Sequence, residues 1–193
     1  ALFLVLIGSV PVILWRPWIG ILMWYWVGLM NPHRLTWGFM YGFPAALLVG
    51  AMALVALAIA RDRRPPPLTR ETVFLVLMMA WFTLTTAYAW VPSMAWNYWE
   101  QAMKVLGFTL VTTMLIHGWK RVEWLLIVIT GSLAFYGLKG GLFTLLTGGS
   151  NRVLGPPQSF IEGNTSLGLA MLMVMPLILM LARRARSGEL DCL

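Results

Sequence analysis

The chain has 193 residues, 60% of them hydrophobic and only 11% charged, with a mean hydropathy of +0.78. A soluble domain carries about a quarter of its residues as charges; a chain of this size cannot bury so much apolar surface against itself, so an integral membrane protein with lipid as its solvent is expected. The net charge of +7 does not indicate a nucleic-acid partner, because the basic residues fall in small clusters between apolar runs rather than along one face.

Taken in chain order, apolar runs predict an all-α fold: a polytopic transmembrane helical bundle of about seven spans. Residues 1–15 and 18–30 are two runs separated by WRP, each short for a full crossing. They read as a tilted pair or as a hairpin that enters and leaves on one side. Residues 38–60 form a cleaner span, closed by the charged, proline-blocked loop RDRRPPPLTRE. Residues 72–91, 101–118, 124–146 and 165–182 complete the set, giving one helical domain over 1–182 and a tail over 183–193. No basic leader or A-x-A site precedes the first run, and the abrupt apolar start reads as a chain missing a few residues.

Charge sets the expected orientation. With 61–71 inside, the same side holds Arg61, Arg63, Arg64, Arg70, Lys120, Arg121, Arg183, Arg184 and Arg186, with Arg16 if both early runs cross. The other side holds Arg34, Lys104 and Arg152, while Lys139 falls within a span. That bias predicts a cytoplasmic C-terminal tail and turns the longest outward loop, GGSNRVLGPPQSFIEGN (148–164), away from the cytoplasm, into the periplasm in a Gram-negative inner membrane. Trp15, Trp18, Trp37, Trp90, Trp96, Trp99, Trp119 and Trp124 fall at predicted span ends, as amphipathic indoles at the headgroup layer do.

Few polar groups are candidates for chemistry. Lys139, in FYGLKGGLF, is costly at membrane depth unless it snorkels to the headgroups or lines a wet cavity beside Gly140 and Gly141. Glu100 and Lys104 stand four apart, acid first, as a helix-stabilising pair. His33 and Arg34 end the second run in a turn, and His117 reads as a cap near a helix C-terminus. The outward loop lacks a P-loop ending, and Asn164 sits where an N-cap belongs. Arg152 is the one arginine in that loop. It is either a surface residue or a bidentate holder of phosphate oxygens near a helix N-terminus. Glu162 reads as an ion-pair or solvated acid rather than a general base. Cys192 is the single cysteine, which excludes an internal disulfide and a cysteine-based metal site. No metal ligands, cofactor or catalytic set emerge from the residues.

Two motifs, NPHRLTWGFMYGFP (31–44) and KGGLFTLLTGGSNRVLGPPQSFIEGNTSLGLAM (139–171), resemble the N-terminal region of the O-glycosylation ligases associated with the exosortase A system, members of the O-antigen ligase and polymerase family. The resemblance implies a metal-independent membrane glycosyltransferase of the GT-C type, moving a glycan from undecaprenyl diphosphate to a periplasmic acceptor. It implies that Arg152, Gly155 and Asn164 belong to the arginine–glycine–asparagine motif of the donor site, with Arg152 on the diphosphate and Lys139 lining the same cavity. Members of that family are longer and carry a histidine in a later periplasmic loop. Neither His33 nor His117 matches that position, and no catalytic residue is assigned. The expected partners are membrane lipid and the lipid-linked glycan donor. The alternative is a non-catalytic small subunit packed in a larger membrane complex.

Overall fold

A computed structural model describes residues 2–36, 38–60, 65–150, 152–157, 159 and 161–187. Trp37, Arg61, Arg63, Arg64 and Cys192 therefore lie outside the described residues. Seven α-helices form among those described: α1 (Leu2–Trp15), α2 (Pro17–Met30), α3 (Ala45–Ile59), α4 (Arg70–Ala87), α5 (Pro92–Leu115), α6 (Trp119–Thr147) and α7 (Asn164–Ser187). Two 3-10 turns, Pro32–Leu35 and Gly38–Gly42, join α2 to α3, and no strand occurs among the described residues.

All-α architecture thus holds, but helix length and composition together do not support seven spans. Two helices are long and apolar enough to cross a membrane: Trp119–Thr147, with 29 residues, and Asn164–Arg186, with 23. A core helix of a soluble protein hides most of its apolar surface. Here only 28% and 11% of the two apolar windows are buried within the protein, which points to a membrane-associated chain. The 14-residue α1 and α2 each rise about 21 Å, short of a hydrocarbon core of about 30 Å. The predicted span at 38–60 shrinks to the 15 residues of α3. Gly38–Gly42 takes the tighter 3-10 path, and Pro44, which lacks an N–H, sits just before the helix begins.

The described residues fall into two compact units, one drawn from 1–56 and 118–193, the other from 57–117. In the first, α1 packs on α2 through a single linking residue, Arg16, and the core gathers Leu6, Ile13, Val27, Ala45, Val49 and Ala56. Gly20 is the close-approach point: a Cβ there would meet Ile13 Cγ2 at 2.9 Å and Ala53 Cβ at 3.1 Å.

Contacts along α6 set the directions of its neighbours. Arg121 stands 5.8 Å from the Trp18 ring, near the start of both helices, and the Tyr136 hydroxyl donates to the Met30 carbonyl further along both; α2 and α6 run parallel. Arg184 meets Glu123, while Gly137 faces Met171; α7 returns antiparallel. One end of this unit therefore carries Lys120, Arg121, Arg183, Arg184 and Arg186. The opposite end carries the 31–36 turn, the C-terminal turns of α6 and the 148–163 loop.

The second unit is the α4–α5 pair. Thr69 caps α4, its hydroxyl accepting from the Thr72 N–H at 3.4 Å, and Pro92 opens α5 at a first-turn position, where its missing N–H costs nothing. Trp99 Nε1 donates to Thr83 Oγ1 at 3.0 Å across the pair. Glu100 and Lys104 form the expected ion pair, with both side chains more than half exposed. The helix ends at Leu115 with Ile116 as its capping residue, so His117 lies one position beyond the expected cap.

Candidate functional site

At the loop-bearing end of the first unit, three chain segments border a shallow, open cavity. Helix α6 ends in a left-handed Gly148 (φ 62°), whose N–H returns to the Thr144 carbonyl. Gly149 (φ 76°) follows and donates to the same carbonyl at 3.0 Å. Both donors thus fall on one carbonyl of the last turn, and the two left-handed glycines turn the chain back over α6. Val153 then lands on Gly140, where a Cβ would stand 2.7 Å from Val153 Cγ1.

Beyond Val153 the loop closes on itself. The Gly155 N–H donates to the Glu162 carbonyl at 3.0 Å, and Ser159 Oγ donates to the Pro156 carbonyl at 2.7 Å. A Cβ on residue 155 would collide with the Ile161 carbonyl, so only glycine fits there. The Gly163 carbonyl accepts the first helical N–H of α7, from Leu167 at 2.9 Å. Gly163 is therefore the capping residue, and Asn164, expected in that role, is the first residue inside the helix.

Between these segments lies a cavity of about 230 Å³ whose wall includes Tyr136, Gly140, Thr144, Val153, Asn164 and Met171. Its lining is mainly apolar, with Thr144 and Asn164 among the few polar side chains. A larger hollow, about 350 Å³, lies along α7 from Pro176 to Arg184, lined by that one helix.

The four sequence-derived candidates separate here. Asn164 lines the cavity. Arg152 is exposed and stands next in sequence to the lining residue Val153. Gly155 is a structural residue, pinned to Glu162 and Ile161. Lys139 is exposed and absent from the wall. Three and four residues place side chains on a common helix face, so Tyr136, Gly137, Gly140, Gly141 and Thr144 share the cavity side of α6, and Lys139 turns away from it.

Residues 1–186 match a family of unknown function, DUF5935. The chain belongs to that family. No curated protein matches this DUF5935 chain, and no solved structure does.

Two residues of this DUF5935 chain were not singled out by the sequence. Tyr136 is buried and its hydroxyl satisfies the Met30 carbonyl at the end of α2. Two further bonds finish that helix end: the Asn31 N–H to the Val27 carbonyl at 3.0 Å and Asn31 Nδ2 to the Gly28 carbonyl at 2.9 Å. Asn31 itself sits at φ 46°, a conformation asparagine tolerates better than most residues. The available signal was a tyrosine amid glycines in an apolar run, since a buried phenol needs a partner. Glu123, the second, is 1% exposed and stands 4.0 Å from Arg184 Nε; Arg184 also covers the Trp119 ring at 4.6 Å. Nothing local in WKRVEWLL announces a partner on another helix. Among the described residues no cluster of His, Cys, Asp or Glu gathers to hold a metal.

Proposed function

We propose that this chain forms the donor-side part of a GT-C type membrane glycosyltransferase, which moves a glycan from undecaprenyl diphosphate to an acceptor at the periplasmic face of the bacterial inner membrane. The observation that carries the reading is the Asn164-lined cavity at the opening of α7, with exposed Arg152 one residue from its wall. Both residues belong to the motif on which the family resemblance rests. In this reading the acceptor hydroxyl attacks the sugar's anomeric carbon as the bond to the diphosphate breaks. Arg152 then stabilises the charge that develops on the leaving oxygens. No residue of this chain is assigned the deprotonation of the acceptor.

Helix length supports the geometry. Taking Trp119 as the near headgroup boundary, the 29 residues of α6 rise about 44 Å through a hydrocarbon layer of about 30 Å. Lys139 then reaches the far headgroup layer about 30 Å from Trp119, which fits snorkelling better than service in the cavity. The basic clusters at the other end of the unit take the cytoplasmic side, as the positive-inside rule requires. The short α1, α2 and α3 cross with local thinning of the bilayer and snorkelling of their flanking residues.

The test is glycan transfer by the full-length protein carrying Arg152→Ala. Loss of transfer with an unchanged amount of protein in the membrane is expected; wild-type transfer overturns the assignment. A second reading, a non-catalytic subunit, draws on α4: none of its residues is buried, and Phe74, Leu77 and Trp81 are exposed. Photo-crosslinkers placed at those positions would capture a partner protein in that case and lipid alone in the first.

A further inference from the structure

His33 is buried, with 7% of its surface exposed, and its Nδ1 has no hydrogen-bond partner among the described residues. It lies in the Pro32–Leu35 turn, three residues beyond Met30, whose carbonyl receives the Tyr136 hydroxyl. Tyr136 in turn forms part of the cavity wall. The turn's own bonds are few: the Arg34 N–H to the Asn31 carbonyl at 2.9 Å, and the Thr36 N–H at 3.3 Å and hydroxyl at 2.7 Å to the His33 carbonyl.

The charged and titratable groups around this imidazole are also few. Arg34 stands on the same turn and lies over the Tyr41 ring of the following turn, at 5.1 Å. From α6, Tyr136 meets neighbouring Met30. No carboxylate pairs with His33 among the described residues. A proton added here would create a second cation beside Arg34 in a buried seat, with no counter-ion to offset it.

We propose that His33 is a positioning residue for the Tyr136–Asn164 cavity: the neutral imidazole seats the 32–35 turn, and protonation unseats it and frees the Tyr136 hydroxyl from the end of α2. Burial first and Arg34 second hold the imidazole below its ordinary proton affinity. The unseated turn then binds protons more readily than the seated one, so the seated form is favoured at higher pH. Its advantage is complete above the ordinary imidazole value of about 6.5 and declines as pH falls below it. This deepens the proposed donor-site reading by adding regulation, yet its test measures structure rather than transfer, so either can fail alone.

The experiment is hydrogen–deuterium exchange of the full chain in detergent at pH 7.5 and 5.5, corrected for the intrinsic pH dependence of exchange, following the amides of residues 31–36. Wild-type protein should lose protection there at the lower pH, while His33→Gln, which cannot acquire the charge, should show no such loss. Equal behaviour of the two proteins overturns the proposal. Should His33→Gln fail to fold, the ring of His33 is followed by NMR in His117→Gln protein, which leaves one histidine. A midpoint below about 6.5, accompanied by the shift of the Tyr136 ring signals, supports the proposal; a midpoint at or above it, or an unresponsive Tyr136, overturns it.

Discussion

Glu123 and Arg184 face each other across the α6–α7 seam, 4.0 Å apart, with the carboxylate 1% exposed and the guanidinium side chain 21% exposed. They stand sixty-one positions apart in the chain. Breaking such a pair from one side leaves the other charge in a place that solvates it poorly. Arg184→Met is therefore expected to lower stability by about 3 kcal/mol, read as a fall in the thermal midpoint in detergent. The double variant Glu123→Gln, Arg184→Met should recover part of that loss. An additive double variant would show that the two side chains do not interact.

The cavity wall gives a graded prediction for small residues. A methyl at residue 137 meets Met171 Sδ at 2.8 Å, the end of a flexible side chain, whereas one at residue 140 meets Val153 Cγ1 at 2.7 Å. Valine is stiff at its first torsion, so Gly140→Ala should push the 148–163 loop off α6 and Gly137→Ala should not. Gly155→Ala should be the most damaging of the three, because its new methyl meets backbone. Overpacking costs about 1–3 kcal/mol, and limited proteolysis of the loop should become faster in the order 137, 140, 155.

Tyr136→Phe removes the donor that satisfies the Met30 carbonyl without changing the shape of the cavity wall. An unsatisfied buried acceptor costs about 1–3 kcal/mol. The expected result is a lower thermal midpoint and faster amide exchange confined to the end of α2. Exchange unchanged across residues 28–36 would show that Asn31 alone secures that end.

The helices were legible because their apolar runs are long, but boundaries were less so: the run read as 101–118 begins its helix at Pro92. What the runs concealed was length. Gly38, Gly42 and Pro44 are as compatible with an apolar window as with a tight turn, so the first residues predicted for α3 went to the 3-10 segment Gly38–Gly42 and the two residues after it. Of the candidate site, Asn164 was named through the resemblance, since its place at a helix start read as a cap, and Arg152 stood out as the one arginine of its loop. Gly155 was legible as a special position, yet its purpose was not: its reason is the Ile161 carbonyl, which only the closed loop brings near. Lys139 stands off the cavity wall for a different reason. It is the immediate neighbour of Gly140 in sequence, but that single step turns a side chain from the cavity to the outside, and facing depends on what packs against the helix. Glu123 and Tyr136 were hidden because each takes its meaning from a partner on another helix.

The register of α6 against α7 stays constant along the seam. Glu123 meets Arg184, Gly137 meets Met171, and Thr144 shares a cavity with Asn164, so each step forward on one helix matches a step back on the other. An inserted residue between 123 and 137 would turn everything beyond it by about 100°. It could not keep both the buried charge pair and the glycine face in place. The two ends of this unit are thus phased like teeth on meshed gears: the basic end sets the angle at which the other end presents its cavity.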